Sequence, residues 1–112
     1  MFVADKIRGS LIGGAAGDAL GYTIEFLSEE TIFRLFGSEG IQDFQLFEGE
    51  ALISDDTQMT LFTANALVLA AQSGKEPLHV IRDAYLAWYQ TQTSSSPDAN
   101  GPFLVMNYPE LY

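Results

Sequence analysis

The chain has 112 residues, 47% of them apolar, so it is long enough to form one folded domain and is not disordered by composition. Fifteen acidic residues against five basic ones give a net charge of −10 at neutral pH, which argues against nucleic acid as a partner, because phosphate binding needs clustered lysine and arginine. The absence of cysteine excludes disulfides, thiolate metal sites and cysteine nucleophiles, and the single histidine, His79, excludes paired-histidine zinc sites. The chemistry that remains is that of carboxylates, hydroxyls and amides.

The sequence has no secretory or membrane-spanning pattern. Asp5, Lys6 and Arg8 stand among the first apolar residues, unlike the basic-then-apolar order of a signal peptide. The longest uncharged run of near-spanning length, residues 57–74, contains too many polar side chains for a bilayer helix. We therefore expect no membrane partner and a cytoplasmic location.

Residue spacing predicts four helices, of which the first covers roughly residues 4–20. It carries four glycines, each costing about 1 kcal/mol against alanine in an exposed helix: Gly9, Gly13, Gly14 and Gly17. So many glycines predict that another backbone or a ligand comes close to this helix. Packing between helices is the favoured reason, because these glycines do not follow a strand and lack the lysine of a phosphate-binding loop.

The second and third helices are marked by their ends. Ser28 is a typical cap before the second helix, and Gly37 ends it. The third begins at Ser54 or Asp55 and runs to residue 73, with Gly74 just beyond its end. Because the third helix is apolar on nearly all sides, we expect it to be buried on several of them.

The fourth helix starts at Pro77, a good first-turn residue. Its predicted core face consists of apolar residues spaced three and four apart, namely Leu78, Ile81, Tyr85, Trp88 and Tyr89. From residue 94 onward, prolines, serines and glycine predict a loop. This last segment is nevertheless rich in apolar residues, so we expect it to pack against something. No alternating strand pattern persists anywhere in the sequence.

The residues that open the third helix concentrate oxygen ligands. No basic residue lies between Arg34 and Lys75, and adjacent carboxylates without a basic neighbour favour a cation. At a junction of loop and helix, Ser54, Asp55 and Asp56 can direct three oxygens to one point, as a hard cation such as Mg²⁺ requires. Capping by Ser54, with two acids in the first turn, explains the same residues without a metal. The two readings are compatible, and both stay open on the residues alone.

Three sequence blocks together resemble the ADP-ribosylglycohydrolase family: Gly17-Asp18-Ala19-Leu20-Gly21, Ile24-Glu25-Phe26 and Ser54-Asp55-Asp56-Thr57-Gln58-Met59-Thr60. The resemblance covers nearly all of the chain, including the aromatic fourth helix. It implies an all-α fold of orthogonally packed helices that holds two Mg²⁺ ions in a central cleft. It also implies hydrolysis of the glycosidic bond between ADP-ribose and a modified protein side chain, arginine in many members and serine in others.

The resemblance also implies roles for individual residues. Ser54, Asp55 and Asp56 match metal ligands of the family, where a threonine often replaces the serine. Glu25 matches an acid near the metals that some members use in catalysis or to gate substrate entry, although a solvated surface residue is the alternative. Such an acid can position a metal-activated water or take its proton. Asp18 matches a structural aspartate that bonds backbone near the cleft.

The chain departs from the family in length and in its second ligand block. Family members are more than twice as long, and an Asp-x-Asp-Thr block lies towards their C-terminus. After Thr57 this chain has only four acids, Glu76, Asp83, Asp98 and Glu110, and none belongs to such a block. We therefore expect residues 1–112 to be a single, incomplete N-terminal domain that binds Mg²⁺ weakly and has little or no activity alone.

The family resemblance and the missing ligand block together indicate the expected partners. They are an ADP-ribosylated protein or an ADP-ribose-like small molecule, and also a missing C-terminal half or a second copy of the chain. Two other functions stay open. One is a non-catalytic family member comparable to the lens crystallins that resemble this family, and the other is an acidic helical module that binds a protein partner through open apolar faces.

Overall fold

The computed structural model describes residues 2–112, and its main elements are α-helices. The four helices are α1 (Val3–Tyr22), α2 (Glu29–Phe36), α3 (Asp55–Ser73) and α4 (Pro77–Thr93), followed by short 3₁₀ helices at Leu104–Asn107 and Pro109–Leu111. Within residues 2–112 the only β pairing is an isolated bridge between Phe47 and Glu50. The predicted all-helical fold class is confirmed.

Local capping chemistry explains where the helices begin and end. The Ser28 hydroxyl accepts a hydrogen bond from the Thr31 amide at 3.2 Å, which caps α2. Gly37 follows α2 with a φ angle of 87°, a left-handed conformation that favours glycine. Pro77 occupies the first turn of α4, where its missing N–H costs nothing. These boundaries were predicted and are confirmed.

The chain divides into two compact units, Met1–Thr57 and Gln58–Tyr112, with the boundary inside α3. The second unit contains an apolar core of seven buried residues: Phe62, Ala66, Ala70, Val80, Ala84, Phe103 and Met106. Phe62 is the largest fully buried side chain in residues 2–112. Most of the stability of this unit therefore comes from apolar burial.

The packed face of α4 differs from the predicted face. Leu78 is 72% exposed and Tyr89 60% exposed, whereas Val80 and Ala84 are buried. Ile81 and Trp88 are partly buried against the core, as expected. Three of the seven core residues are alanines, so the core-facing sides of α3 and α4 are narrow. Small side chains permit close helix packing, which a hydrophobicity pattern weighted towards aromatics does not detect.

Two further predictions about packing are wrong for the described chain. Helix α3 is not buried on several sides, because Leu67 is 47% and Val68 56% exposed. Apart from the adjacent residues and the backbone of the same helix, a Cβ atom built on the glycines of α1 would meet no atom within 4 Å. No contact within residues 2–112 therefore requires those glycines.

The segment after α4 packs as expected, although only through part of its apolar side chains. Phe103 and Met106 enter the core of the second unit. The amide of Val105 donates to the Asn65 side-chain oxygen at 3.1 Å, which ties this segment to α3. The hydroxyl of Tyr112 donates to the Met106 carbonyl at 2.9 Å. These contacts order a segment that has little regular structure of its own.

None of the helices described in residues 2–112 combines the length and the apolar character needed to cross a bilayer. The cytoplasmic location stays a prediction. The organisation of residues 1–112 as one incomplete domain also stays a prediction.

Candidate functional site

The candidate site lies in the first unit, where the carboxylate of Asp18 connects α1 to the start of α3. Its Oδ1 accepts the Ser54 hydroxyl at 2.6 Å. Its Oδ2 accepts the Ser54 amide at 2.8 Å and the Thr57 hydroxyl at 2.5 Å. Asp18 thus satisfies a backbone N–H at the start of α3 that otherwise lacks a partner.

These hydrogen bonds determine the charge state of Asp18. Partial burial acts to raise the pKa of its carboxyl group, but hydrogen bonds from the side chains and backbone of Ser54 and Thr57 outweigh burial and hold the pKa below its ordinary value. Asp18 is therefore an ionised acceptor at neutral pH. Its predicted structural role, bonding backbone, agrees with the bond from the Ser54 amide.

Ser54 is the capping residue immediately before α3, and only 8% of its surface is exposed. Its Oγ accepts a hydrogen bond from the Asp56 amide at 3.2 Å. The same oxygen donates its hydrogen to Asp18. The capping role weighed for Ser54 is therefore present. A hydroxyl has one hydrogen and two lone pairs, so one lone pair of Ser54 remains for another partner.

Asp55 and Asp56 follow in the first turn of α3, and both are exposed. Acids are favoured there by the partial positive charge of the helix N-terminus. Within residues 2–112, no group of three or more histidine, cysteine, aspartate or glutamate side chains is arranged to hold a metal ion. The donor set that sequence and structure offer at this point is one hydroxyl and two carboxylates. These hard oxygen ligands suit Mg²⁺ in kind, but they are fewer than the roughly six oxygens that such a cation takes.

Glu25 lies in the turn that follows α1 and is exposed. The turn is held by backbone hydrogen bonds from Ile24 to Gly21 at 3.0 Å and from Leu27 to Ile24 at 3.0 Å. Glu25 is thus seven residues beyond Asp18 on a segment directly continuous with α1. Its role in catalysis or in gating is not tested by these contacts and stays a prediction.

Sequence reasoning missed two sets of contacts near the start of α3. Thr57 is 7% exposed and donates to Asp18, although only its place in the motif marked it. In the second unit, the indole N–H of Trp88 donates to the Gln58 side-chain oxygen at 3.0 Å, and the Gln92 amide donates to the same oxygen at 3.2 Å. The only signal for Thr57 was a hydroxyl residue in the first turn of the predicted third helix. No signal linked Gln58 to Trp88, which is 30 residues away.

Comparisons with known proteins find relatives of similar sequence. The chain is 35% identical over 92 residues to the ADP-ribosylarginine hydrolase Tri1 of Serratia proteamaculans (strain 568), covering 82% of this chain and 24% of that protein. It is 35% identical over 88 residues to the ADP-ribosylarginine hydrolase Tri1 of Pseudomonas putida (strain GB-1), covering 77% of this chain and 22% of that protein. The chain thus spans about a quarter of the length of these curated relatives.

No solved structure matches the chain significantly. The family model described as ADP-ribosylglycohydrolase matches residues 2–108, which include α1, the Glu25 turn and the whole candidate site. The match therefore extends over almost all of the sequence and both compact units. The chain belongs to the ADP-ribosylglycohydrolase family.

Proposed function

We propose that this chain contributes to Mg²⁺-dependent hydrolysis of the bond between ADP-ribose and an arginine side chain of a modified protein. Family membership supports glycosidic hydrolysis, and both relatives are named ADP-ribosylarginine hydrolases. The observation that carries the proposal is the start of α3, where Asp18 holds Ser54 directly before the exposed pair Asp55 and Asp56.

The Ser54 hydroxyl and the Asp55 and Asp56 carboxylates are the residues that would hold the cation. Asp55 and Asp56 bring two formal negative charges, and no basic residue lies between Arg34 and Lys75 in the sequence to compete with a metal. A bound Mg²⁺ supplies charge stabilisation for ribose oxygens and lowers the pKa of a bound water.

The hydrolysis itself requires a water oxygen to bond to C1 of the ribose while the bond from that carbon to the guanidine nitrogen breaks. The leaving nitrogen takes up a proton, and the water loses one. We assign to Glu25 the positioning of this water or the uptake of its proton. Its exposed position allows contact with a substrate entering from solvent.

The ligand count sets an expectation for the isolated chain. Three side chains supply fewer than the roughly six oxygens of a divalent cation, and a second cation would need carboxylates of its own. We therefore expect residues 1–112 alone to bind Mg²⁺ weakly and to release little or no ADP-ribose. Rapid, metal-dependent release of ADP-ribose by the purified chain would contradict this expectation.

The function is tested in a chimera in which this chain replaces the matched quarter of the Serratia relative. The substrate is a protein carrying ADP-ribosylated arginine, and released ADP-ribose is measured with Mg²⁺ and with a chelator. We expect Asp55→Ala and Asp56→Ala each to abolish release. The matched control is Glu39→Gln, which neutralises an exposed acid of the same unit outside the candidate site. Undiminished turnover in either aspartate variant would overturn the ligand assignment.

A second candidate function is binding of a protein partner, and the exposed apolar side chains favour it. Helix α2 has no buried residue, and Phe33 and Leu35 on it are 44% and 59% exposed. Exposed apolar surface of this extent marks interaction sites. Size measurement in solution tests this function. A monomer that binds little hydrophobic dye would count against it, and self-association together with strong dye binding would favour it.

A further inference from the structure

The hydrogen-bonding groups of Ser54 are almost fully assigned by the structure. Its Oγ lies 2.6 Å from Asp18 Oδ1, and because Asp18 is an acceptor, the serine is the donor. One lone pair of Oγ accepts the Asp56 amide. The hydroxyl therefore keeps one lone pair and has no hydrogen left to point elsewhere. A hydroxyl in this state is a ready ligand for a cation, which needs a lone pair and is repelled by a hydrogen.

Asp18 also uses most of its hydrogen-bonding capacity on the start of α3. An ionised carboxylate offers about four lone-pair sites. Three of these sites accept the hydroxyl and the amide of Ser54 and the hydroxyl of Thr57. Asp18 therefore influences a nearby cation mainly through Ser54.

We propose that Asp18 is a positioning residue, which takes the hydrogen of the Ser54 hydroxyl so that the serine oxygen presents a lone pair to the cation. This inference rests on the proposed function, because it assumes that the Ser54 oxygen binds a metal. Partners that orient a metal ligand in this way typically change metal affinity by about 10–100-fold when they are mutated. The effect expected here is at the lower end, because Ser54 is one ligand among several.

The test is a double-mutant cycle on Mn²⁺ affinity, read by electron paramagnetic resonance of the free ion with the purified 112-residue chain. We expect Asp18→Asn and Ser54→Ala each to weaken binding by about tenfold. The double variant is expected to bind no more weakly than Ser54→Ala alone, because Asp18 acts through that hydroxyl. Fully additive losses would overturn the proposal.

A second readout distinguishes positioning from a general structural effect. Broadening of the bound Mn²⁺ signal by ¹⁷O-labelled water counts the water ligands. Loss of the serine ligand leaves room for one more water, so Asp18→Asn and Ser54→Ala should both gain one relative to the unmodified chain. An unchanged water count in Asp18→Asn would contradict the proposal.

Glu39→Gln is the matched control, since it neutralises an exposed acid of the same unit outside the candidate site. We expect its Mn²⁺ affinity to stay within about twofold of the original. A loss as large as that of Asp18→Asn would show that removing any negative charge from this unit weakens binding, and would overturn the positioning role. If circular dichroism shows that Asp18→Asn does not fold, the cycle is repeated with Asp18→Ser, whose smaller side chain leaves room for water.

The outcomes also separate this inference from the proposed function. If Asp55→Ala removes Mn²⁺ binding while the losses in the Asp18 and Ser54 cycle are additive, only the positioning role is overturned. The metal site itself is then supported. Binding that is absent, or that Asp55→Ala leaves unchanged, overturns the metal site and the inference together.

Discussion

The two compact units of this chain are held in different ways. Within the described part of Met1–Thr57, the only buried residues are Ala19, Ser54 and Thr57, and the last two bond to the carboxylate of Asp18. Gln58–Tyr112 instead encloses seven apolar side chains around Phe62. Apolar packing is non-directional, whereas hydrogen bonds fix atoms in orientation. The unit that carries the candidate site is therefore ordered by hydrogen bonds, which can fix the orientation of a ligand side chain.

The largest expected loss of stability comes from a substitution in the core of the second unit. Phe62→Ala removes a fully buried aromatic ring, and we expect it to lower the free energy of unfolding by about 3–5 kcal/mol. Urea unfolding measures the change. Val68→Ala is the control on the same helix; because Val68 is 56% exposed, its substitution should cost no more than about 0.5 kcal/mol. Equal losses in the two variants would contradict the assignment of the core.

The next largest expected loss of stability comes from a substitution in the first unit. Asp18→Asn replaces a charged acceptor of three hydrogen bonds, and we expect the free energy of unfolding to fall by about 1.5–3 kcal/mol. Hydrogen exchange should accelerate at the amides of Ser54 and Thr57. The matched control is Asp98→Asn, an exposed aspartate that accepts a local hydrogen bond from Asn100. If the control accelerates exchange at those two amides as much, Asp18 does not hold the start of α3.

Lowering the pH should reproduce part of the stability loss that is expected for Asp18→Asn. Burial raises the pKa of Asp18, but the hydrogen bonds from Ser54 and Thr57 lower it by a larger amount. The pKa in the folded chain is therefore below its ordinary value, and folding favours the ionised form. The resulting stabilisation is present above the ordinary aspartate pKa and is lost as the pH falls through the lowered pKa of the folded chain. Urea unfolding of the original chain and of Asp18→Asn, from neutral pH into the acid range, should show their stabilities converging. A difference that stays constant would contradict the shift.

The smallest expected loss of stability comes from removing a polar contact in the second unit. Trp88→Phe removes a neutral hydrogen bond to the Gln58 side chain and keeps an aromatic ring, so we expect a loss of about 1 kcal/mol. Gln58 retains the donor from Gln92. Thermal unfolding measures the change. A loss as large as that of Phe62→Ala would mean that a polar contact, and not apolar burial, dominates this unit.

The sequence predicted the elements well because the signals that end a helix are local. Ser28, Gly37, Gly74 and Pro77 act on the backbone within one turn, so their effects can be read without knowledge of the tertiary structure. The apolar face of α4 was less predictable, since the core uses Val80 and alanines where the pattern favoured aromatics. Which side of a helix is buried depends on the facing helix, and that partner is not encoded locally.

The candidate site was predictable only in part, for the same reason. The oxygen-rich block at Ser54–Asp56 is contiguous and could be identified from the sequence. Asp18 contacts Ser54 across 36 residues, and no local rule pairs them. The glycines of α1 indicated close packing, but they meet no contact within residues 2–112.

Paramagnetic broadening of amide resonances by Mn²⁺ tests the candidate metal site most directly. We predict that substoichiometric Mn²⁺ broadens Ser54, Asp55 and Asp56 first, and that Asp55→Ala removes this selectivity. Broadening that begins instead at Glu29 and Glu30, two exposed acids at the start of α2, would contradict a cation site at the start of α3.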